Sequence, residues 1–220
     1  MLRMRNNLRR WPARLTKRIF DTLSALFLLA LLSPLMLLIG LLIRQDGGPA
    51  LFAHPRIGKR GRVFNCYKFR TMVVDAEQQL EQLLQQSPDL RAQWENERKL
   101  RHDPRVSRLG AFLRKSSLDE LPQFLNVLKG DMSIVGPRPP LPREVALYSV
   151  EDRRRLLAMP GITCLWQVGE RNGGTFEIGD RNSIDFDEQV QLDVRYIESQ
   201  SALRDLWIML KTLPAMLLGK

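Results

Sequence analysis

Hydrophobic positions along the chain form one long block, then several short periodic ones. From Ile19 to Ile43 the chain is apolar almost without interruption, with Asp21 as the only charge and LFLLALLSPLMLLIGLLI (Leu26–Ile43) at its heart. A run of this length can cross a bilayer, yet Ser33-Pro34 lies inside it. As helix, Ile19–Leu32 would measure about 21 Å and Leu35–Ile43 about 14 Å. Neither half alone spans a hydrocarbon core of about 30 Å. Pro34 removes one backbone donor and crowds the preceding turn, so a bend is expected at Ser33-Pro34. The Ser33 hydroxyl can donate to the carbonyl so released, which lowers the cost in lipid. On pattern alone, a straight span and a bent segment that returns to its own side are evenly matched.

Beyond this block the periods shorten. RQDGGPALF (Arg44–Phe52) reads as a Gly/Pro hinge. RVFNCYKFRTM (Arg62–Met72) has the rough alternation of a short strand. VDAEQQLEQLLQQ predicts an amphipathic helix with Leu80, Leu83 and Leu84 on one face. Ser87-Pro88 ends it and opens another helix, with Ser87 as N-cap and Pro88 in the first position, running through Trp94 toward Leu100. LPQFLNVLKG predicts a third helix, with Pro122 in its first turn and Gly130 past its end. MSIVGPRPPLP reads as a short strand entering a proline-stiffened loop. Further helices are expected over about 142–157 and after the loop that begins at Gly179. The last segment, from Ser201, is amphipathic, with Leu206, Trp207, Leu210, Leu213 and Leu217 in one stripe. Such a helix can lie in a membrane interface or pack as an ordinary helix. The pattern predicts a helix-rich α+β chain in four parts: a basic arm (1–18), the membrane segment (19–43), a small domain with short strands (44–202) and an amphipathic helix (203–220).

Charge sharpens this picture. The net charge is +10, and residues 1–18 carry +7 of it with no acid. A basic arm beside an apolar helix suits anionic lipid headgroups better than nucleic acid, since the body is only mildly basic. Arg44, Arg56, Lys59, Arg60 and Arg62 follow the apolar run, so the positive-inside rule pulls both flanks toward the cytoplasm. The run exceeds a signal-peptide core and no small-x-small cleavage site follows it. Cys66 and Cys164 stand far apart, which excludes a disulfide scaffold or a cysteine zinc site, and His54 and His102 are too isolated for a histidine metal centre.

The densest chemistry is in LRKSSLDELPQ (Leu113–Gln123), where Asp119 and Glu120 are adjacent carboxylates at a helix start. One reading is structural: Ser117-x-x-Glu120 spells a capping box, and acids favour helix N-termini. The other needs cations, and the chain offers Arg114 and Lys115 just upstream, Arg138 in GPRP, and Lys68 and Arg70 in YKFRTM. Two carboxylates among fixed cations suit phosphoryl chemistry.

KRIFD before the apolar run, Ser33-Pro34 within it, YKFRTM, LRKSSLDELPQFLNVLKGDMSIVGPRP, PGIT (Pro160–Thr163), LWQV and LDVRYIE together resemble the bacterial sugar transferases, monotopic polyprenyl-phosphate phosphoglycosyl transferases. The resemblance covers about residues 17–213. LRAQWENERKLRHDPRVSRLG is further similar to the undecaprenyl-phosphate galactose phosphotransferase branch, whose members often carry additional N-terminal spans not seen ahead of Ile19. The resemblance implies transfer of a sugar-1-phosphate from a UDP-sugar to polyprenyl phosphate, with release of UMP. It implies Asp119 as nucleophile, Glu120 as its assistant, and Mg2+ at Asp119. Arg114 and Arg138 become the expected phosphate contacts, with Lys68 and Arg70 behind them. Asp193 matches an acidic position of the C-terminal motif, without an assigned role. UDP-sugars are cytoplasmic, so the resemblance implies a re-entrant helix bent at Ser33-Pro34 and a catalytic domain on the cytoplasmic face of the bacterial inner membrane. A second copy of the chain is a candidate partner; nucleic acid is not.

Three departures bear on the sugar pocket or the interface. Cys164 stands where glycine is usual, GERNGGTFEI (169–178) is extra, and YIESQS lacks an interfacial tryptophan. Arg171 and Arg181 therefore compete for one loop position, and Arg181 aligns onward without a gap. The sugar is not legible. The rival readings are a non-catalytic membrane scaffold for glycan assembly and a membrane-tethered nucleic-acid binder.

Overall fold

The structure, a computed structural model, describes residues 11–98, 100, 102–171 and 184–218. Helix α1 (Trp11–Ile43) takes in the last part of the basic arm and the whole apolar run, and it continues across Pro34. The Ser33 hydroxyl donates to the Ala30 carbonyl at 2.9 Å, the acceptor that the missing Pro34 N–H would have served. This is the helix with the length and composition to cross a membrane among the described residues.

Both ends of α1 are fastened to the body. Lys17 Nζ lies 2.7 Å from Asp21 and 3.0 Å from Asp205, and donates to Ser133 Oγ at 2.5 Å. Asp21 also accepts from the Ile134 N–H at 3.2 Å. Arg18 donates to the carbonyls of Val127 and Leu128 at 2.6 and 2.9 Å, closing the C-terminal end of a helix below. At the far end, a 3-10 turn (Arg44–Asp46) stops at Gly47, whose φ of 82° lies in the left-handed region. Arg70 gathers this exit: it pairs with Asp46 and donates to the carbonyls of Ile43, Pro49 and Met72. Ala25, Ile39 and Ile43 enter the common core, while Leu23, Leu26, Phe27, Leu31, Leu37 and Leu41 remain exposed.

The expected hinge is shorter than its sequence suggests. Strand β1 (Leu51–Ile57) begins within it and pairs antiparallel with β2 (Val63–Phe69). Pro55 lacks an N–H, but in a two-stranded sheet every strand is an edge and the loss is tolerated. Helices α2 (Ala76–Gln86) and α3 (Pro88–Glu97) pack mainly on each other, and neither has a fully buried residue. Ser87 caps α3 by accepting from the Leu90 N–H at 3.3 Å, with Pro88 first in the helix. Helix α4 (Arg108–Lys115) had no counterpart among the expected elements; Ser107 caps it through the Gly110 N–H at 2.9 Å. A Cβ on Gly110 would stand 1.9 Å from the Thr71 carbonyl oxygen, so only glycine lets α4 lie this close to the chain leaving β2.

Helix α5 (Gln123–Lys129) ends at Gly130, with φ 86°, as the sequence predicts. Two parallel strands follow, β3 (Ser133–Val135) and β4 (Gly161–Thr163). Between them the expected helix over 142–157 divides into a short α6 (Pro142–Ala146) and a 3-10 segment (Asp152–Leu157). The chain restarts there because Ser149 and Asp152 exchange reciprocal side-chain-to-backbone bonds at 2.8 and 3.2 Å. Helices α7 (Phe186–Ser199) and α8 (Ala202–Leu218) complete the fold. Ile208 and Ala215 turn α8 into the core and Trp207 packs against it, whereas Leu203, Leu206, Leu210 and Leu213 face outward. Of the stripe expected on α8, Leu206, Leu210 and Leu213 face outward and Trp207 does not, while the Leu217 side chain lies outside the described residues; the helix packs on the body rather than standing apart.

Candidate active site

The Asp119–Glu120 segment sits where α4 gives way to α5. Ser117 adopts a left-handed conformation, φ 55°, and Leu118–Glu120 forms a 3-10 turn before Pro122. The Ser117 side chain makes no cap there, so the capping-box reading fails. The two carboxylates instead turn toward β2. Lys68 Nζ lies 2.6 Å from Glu120 Oε1 and 3.7 Å from Asp119 Oδ2. Asn126 of α5 holds the hairpin in place, accepting from the Tyr67 N–H at 2.9 Å and donating to the Asn65 carbonyl at 2.7 Å.

The pair is electrostatically unequal. Burial pushes the Asp119 carboxyl above its ordinary range against the pull of Lys68, and the neighbouring Glu120 charge adds to the rise. Burial acts on Glu120 too, but Lys68 outweighs it and Glu120 lies below its ordinary value. Adjacent carboxylates driven in opposite directions have different tasks open to them. Glu120 is a fixed anion that holds the Lys68 ammonium. Asp119 is buried and less closely paired, 3.7 Å from the same ammonium. No group of three or more His, Cys, Asp or Glu side chains capable of holding a metal occurs among the described residues. Two carboxylates without a cage fit Mg2+, which ordinarily takes one or two protein carboxylates and completes its shell with substrate phosphates and water.

Of the expected cations, Arg114 and Arg138 are both exposed at this site. Arg114 donates to Thr71 Oγ1 at 2.9 Å and is close enough to favour the Asp119 anion. Arg138, on the loop after β3, does the same for Glu120. That loop is set by close backbone packing: a Cβ on Gly136 would lie 2.4 Å from the Met159 carbonyl oxygen. Arg70 stands elsewhere, its guanidinium occupied at the exit of α1. Ser33 and Pro34 are likewise on the exposed part of α1. Arg181 lies outside the described residues. Arg171 donates to the Trp166 and Glu170 carbonyls, each at 3.3 Å. Asp193 is buried, 2.5 Å from Arg155 Nη2. Burial pushes its carboxyl up to about 6 despite that guanidinium. It ties α7 to the Asp152–Leu157 segment. Cys164 is buried too, its Sγ 3.1 Å from Gln167 Oε1.

Sequence reasoning passed over His54 and Arg56, which β1 delivers to the same neighbourhood. The register places His54 opposite Cys66 and Arg56 opposite Phe64, and Lys68 two positions beyond Cys66 shares their face. Recognising LFAHPRI as a strand would have exposed that alternation.

Buried Asp119 and part-exposed Glu120 thus share Lys68, with Arg114 and Arg138 close by, on a body joined to a long apolar helix. Comparison with known proteins gives the class. The family model for bacterial sugar transferases matches residues 12–219, and the chain belongs to that family. It is 43% identical to an undecaprenyl-phosphate galactose phosphotransferase of Salmonella typhimurium, over 96% of this chain but 42% of that protein. It is 43% identical to the exopolysaccharide production protein ExoY of Rhizobium meliloti, over 94% of this chain and 87% of the relative. A UDP-glucose:undecaprenyl-phosphate glucose-1-phosphate transferase of Caulobacter vibrioides is 41% identical over 92% of the chain and 70% of its own length. The chain thus spans less than half of the Salmonella relative and most of the Rhizobium one.

Proposed function

We propose that this chain transfers a sugar-1-phosphate from a UDP-sugar to polyprenyl phosphate, through a covalent intermediate on Asp119. The observation that carries the reading is the Asp119–Glu120 pair beneath Lys68, freed from capping and split in proton affinity. An Asp119 oxygen bonds to the β-phosphorus as the bond from that phosphorus to the bridging oxygen breaks. UMP leaves with the bridging oxygen and its electron pair. An oxygen of the lipid phosphate then bonds to the same phosphorus while the Asp119–phosphorus bond breaks, which restores the carboxylate. Lys68, Arg114 and Arg138 offset charge on the non-bridging oxygens. Mg2+ held by Asp119, with Glu120 beside it, would supply further charge neutralisation on the diphosphate.

The same reading places α1 in one leaflet of the bacterial inner membrane, with the body on the cytoplasmic face. Lys17 binds Ser133 and Asp205 of the body near one end of α1, and Arg70 of the body binds the Ile43 carbonyl at the other. A straight span would carry those ends to opposite faces of a core about 30 Å thick. Between Ala25 and Ile39 no side chain is fully buried, a stretch of about 20 Å of helix. That is enough for a wedge that dips and returns, bent near Ser33-Pro34. The outward apolar face of α8 supports an interfacial position.

The test is a panel of UDP-sugars given to the full chain with Mg2+ and no lipid acceptor. One UMP per active site and a sugar-phosphate mass increment on the peptide holding Asp119 are expected. Asp119→Asn should remain folded and form no adduct. UMP that appears only with polyprenyl phosphate, and without any adduct, would show direct displacement instead. No UMP from any UDP-sugar would favour a scaffold.

A further inference from the structure

Arg56 is only 8% exposed, yet among the described residues no carboxylate is in ion-pair contact with it. Its Nη1 donates to the Pro139 carbonyl at 3.1 Å, and the neighbouring Ile57 N–H donates to the Pro140 carbonyl at 2.9 Å. These two bonds sew the edge of β1 to the loop that carries Arg138. Among the described residues, no ion pair is formed by either Arg56 or Arg138. Burial, and then the charge of Arg138, depress the proton affinity of Arg56. His54 feels the same field: burial, then Arg56, Lys68 and Arg143, hold its imidazole below the ordinary value. Desolvating a guanidinium near a second one, with carboxylates only at a distance, is costly. It is favourable once a phosphate accepts from both forks. Glu144 acts on Arg56, and Glu120 on both arginines, without pairing with either.

We infer that Arg56 and Arg138 form a single phosphate-monoester subsite, occupied first by the leaving nucleoside monophosphate and then by the incoming polyprenyl phosphate. The inference rests on the covalent Asp119 reading, and its logic is stereochemical. In the first displacement the bridging oxygen departs from phosphorus opposite the attacking Asp119 oxygen. In the second, the acceptor oxygen must approach that phosphorus opposite the Asp119 bond. Departing and arriving groups are both phosphate monoesters, and both occupy the side of phosphorus away from Asp119. One fixed arginine pair can serve both, provided UMP leaves before the lipid phosphate enters.

The experiment reads binding, not turnover. Full-length Asp119→Asn in nanodiscs is dialysed against labelled UMP, with and without a short-chain polyprenyl phosphate or the matching polyprenol. The phosphate should displace UMP competitively and the alcohol should not. Arg138→Gln, exposed and therefore safe for the fold, should weaken UMP binding roughly 10- to 100-fold, the loss expected for a charge-assisted bond. It should weaken displacement by the lipid phosphate by a similar factor. Arg56→Lys, which keeps charge but loses the fork, should weaken both as well. UMP and lipid phosphate bound together without mutual effect would overturn the shared subsite, as would unchanged affinities in Arg138→Gln. Asp119→Asn cannot form an adduct, so the binding assay tests the shared subsite alone, and the covalent reading fails or stands separately on UMP release and adduct mass without acceptor.

Discussion

Replacing Lys17 by methionine removes one ammonium and little volume. Lys17 is the cation between Asp21 and Asp205, whose side chains are 5% and 0% exposed. Its loss strands two buried carboxylates, one on α1 and one on α8, and breaks the bond to Ser133. Removing one side of a buried ion pair typically costs about 3–5 kcal/mol, a large share of a total near 5–15 kcal/mol. At about 2–4 °C per kcal/mol for a chain of this size, the apparent unfolding midpoint should fall by roughly 6–20 °C. The loss should also depend on pH. Burial raises the Asp205 carboxyl, and Lys17 is the chief influence holding it down. Without Lys17 the folded-state value rises further above the unfolded one. The resulting penalty is absent below the unfolded value, near 3.9, and grows as pH rises through the folded value. The gap between Lys17→Met and the unaltered chain should therefore be wider at pH 8 than at pH 5. Adding Asp205→Asn should recover part of it. Tryptophan fluorescence during thermal unfolding in nanodiscs measures both effects. A gap of only a degree or two, equal at the two pH values, would refute the reasoning.

Two further outcomes follow from particular contacts. Asp193→Asn leaves Arg155 buried without its anion, so thermal unfolding should show a loss of about 3–5 kcal/mol; unchanged stability would mean Asp193 is not structural. Single cysteines at residues 8 and 150, with the buried Cys66 and Cys164 silent, should both resist a membrane-impermeant thiol reagent applied from the periplasmic side. Labelling at residue 8 alone would mean a straight span.

What the sequence made legible was whatever repeats with a period or stops with a marked residue. The caps at Ser87 and Gly130, the helix over 76–86, the strand at 63–69 and the apolar run all follow from patterns a few residues long. Strand β1 was hidden because Pro55 interrupts its alternation and Gly47-Gly48-Pro49 just before it spells a hinge. Helix α4 was hidden because it has eight residues and its reason for existing is the distant Thr71, which Gly110 admits. The same limit applies to the site. Asp119, Glu120, Lys68, Arg114 and Arg138 could be nominated by type and spacing. That Arg70, just past the end of β2, is drawn to the exit of α1 depends on Asp46 and the carbonyls gathered there, and that Arg56 lies on the face of His54 and Lys68 depends on the register of β1 with β2, neither of which a short pattern displays.

The fastening of α1 also makes the long apolar helix and the candidate site one unit. Lys17 and Asp21 hold Ser133 and Ile134. Two residues later β3 delivers Gly136 and then Arg138. Arg18 closes α5 at Val127 and Leu128, and the opposite end of α5 follows directly from Glu120. At the other end of α1, Arg70 holds Ile43 and Asp46, and its near neighbour on β2 is Lys68. The elements that carry Glu120, Arg138 and Lys68 are thus each within a few residues of a bond to α1, whereas α4 with Arg114 and β1 with Arg56 join the site through Thr71 and Pro139. A close-packed frame transmits displacement rather than absorbing it. On the proposed function, the depth of α1 in lipid would then fix the depth of Asp119, so that a lipid phosphate at the headgroup level meets it without the body having to move.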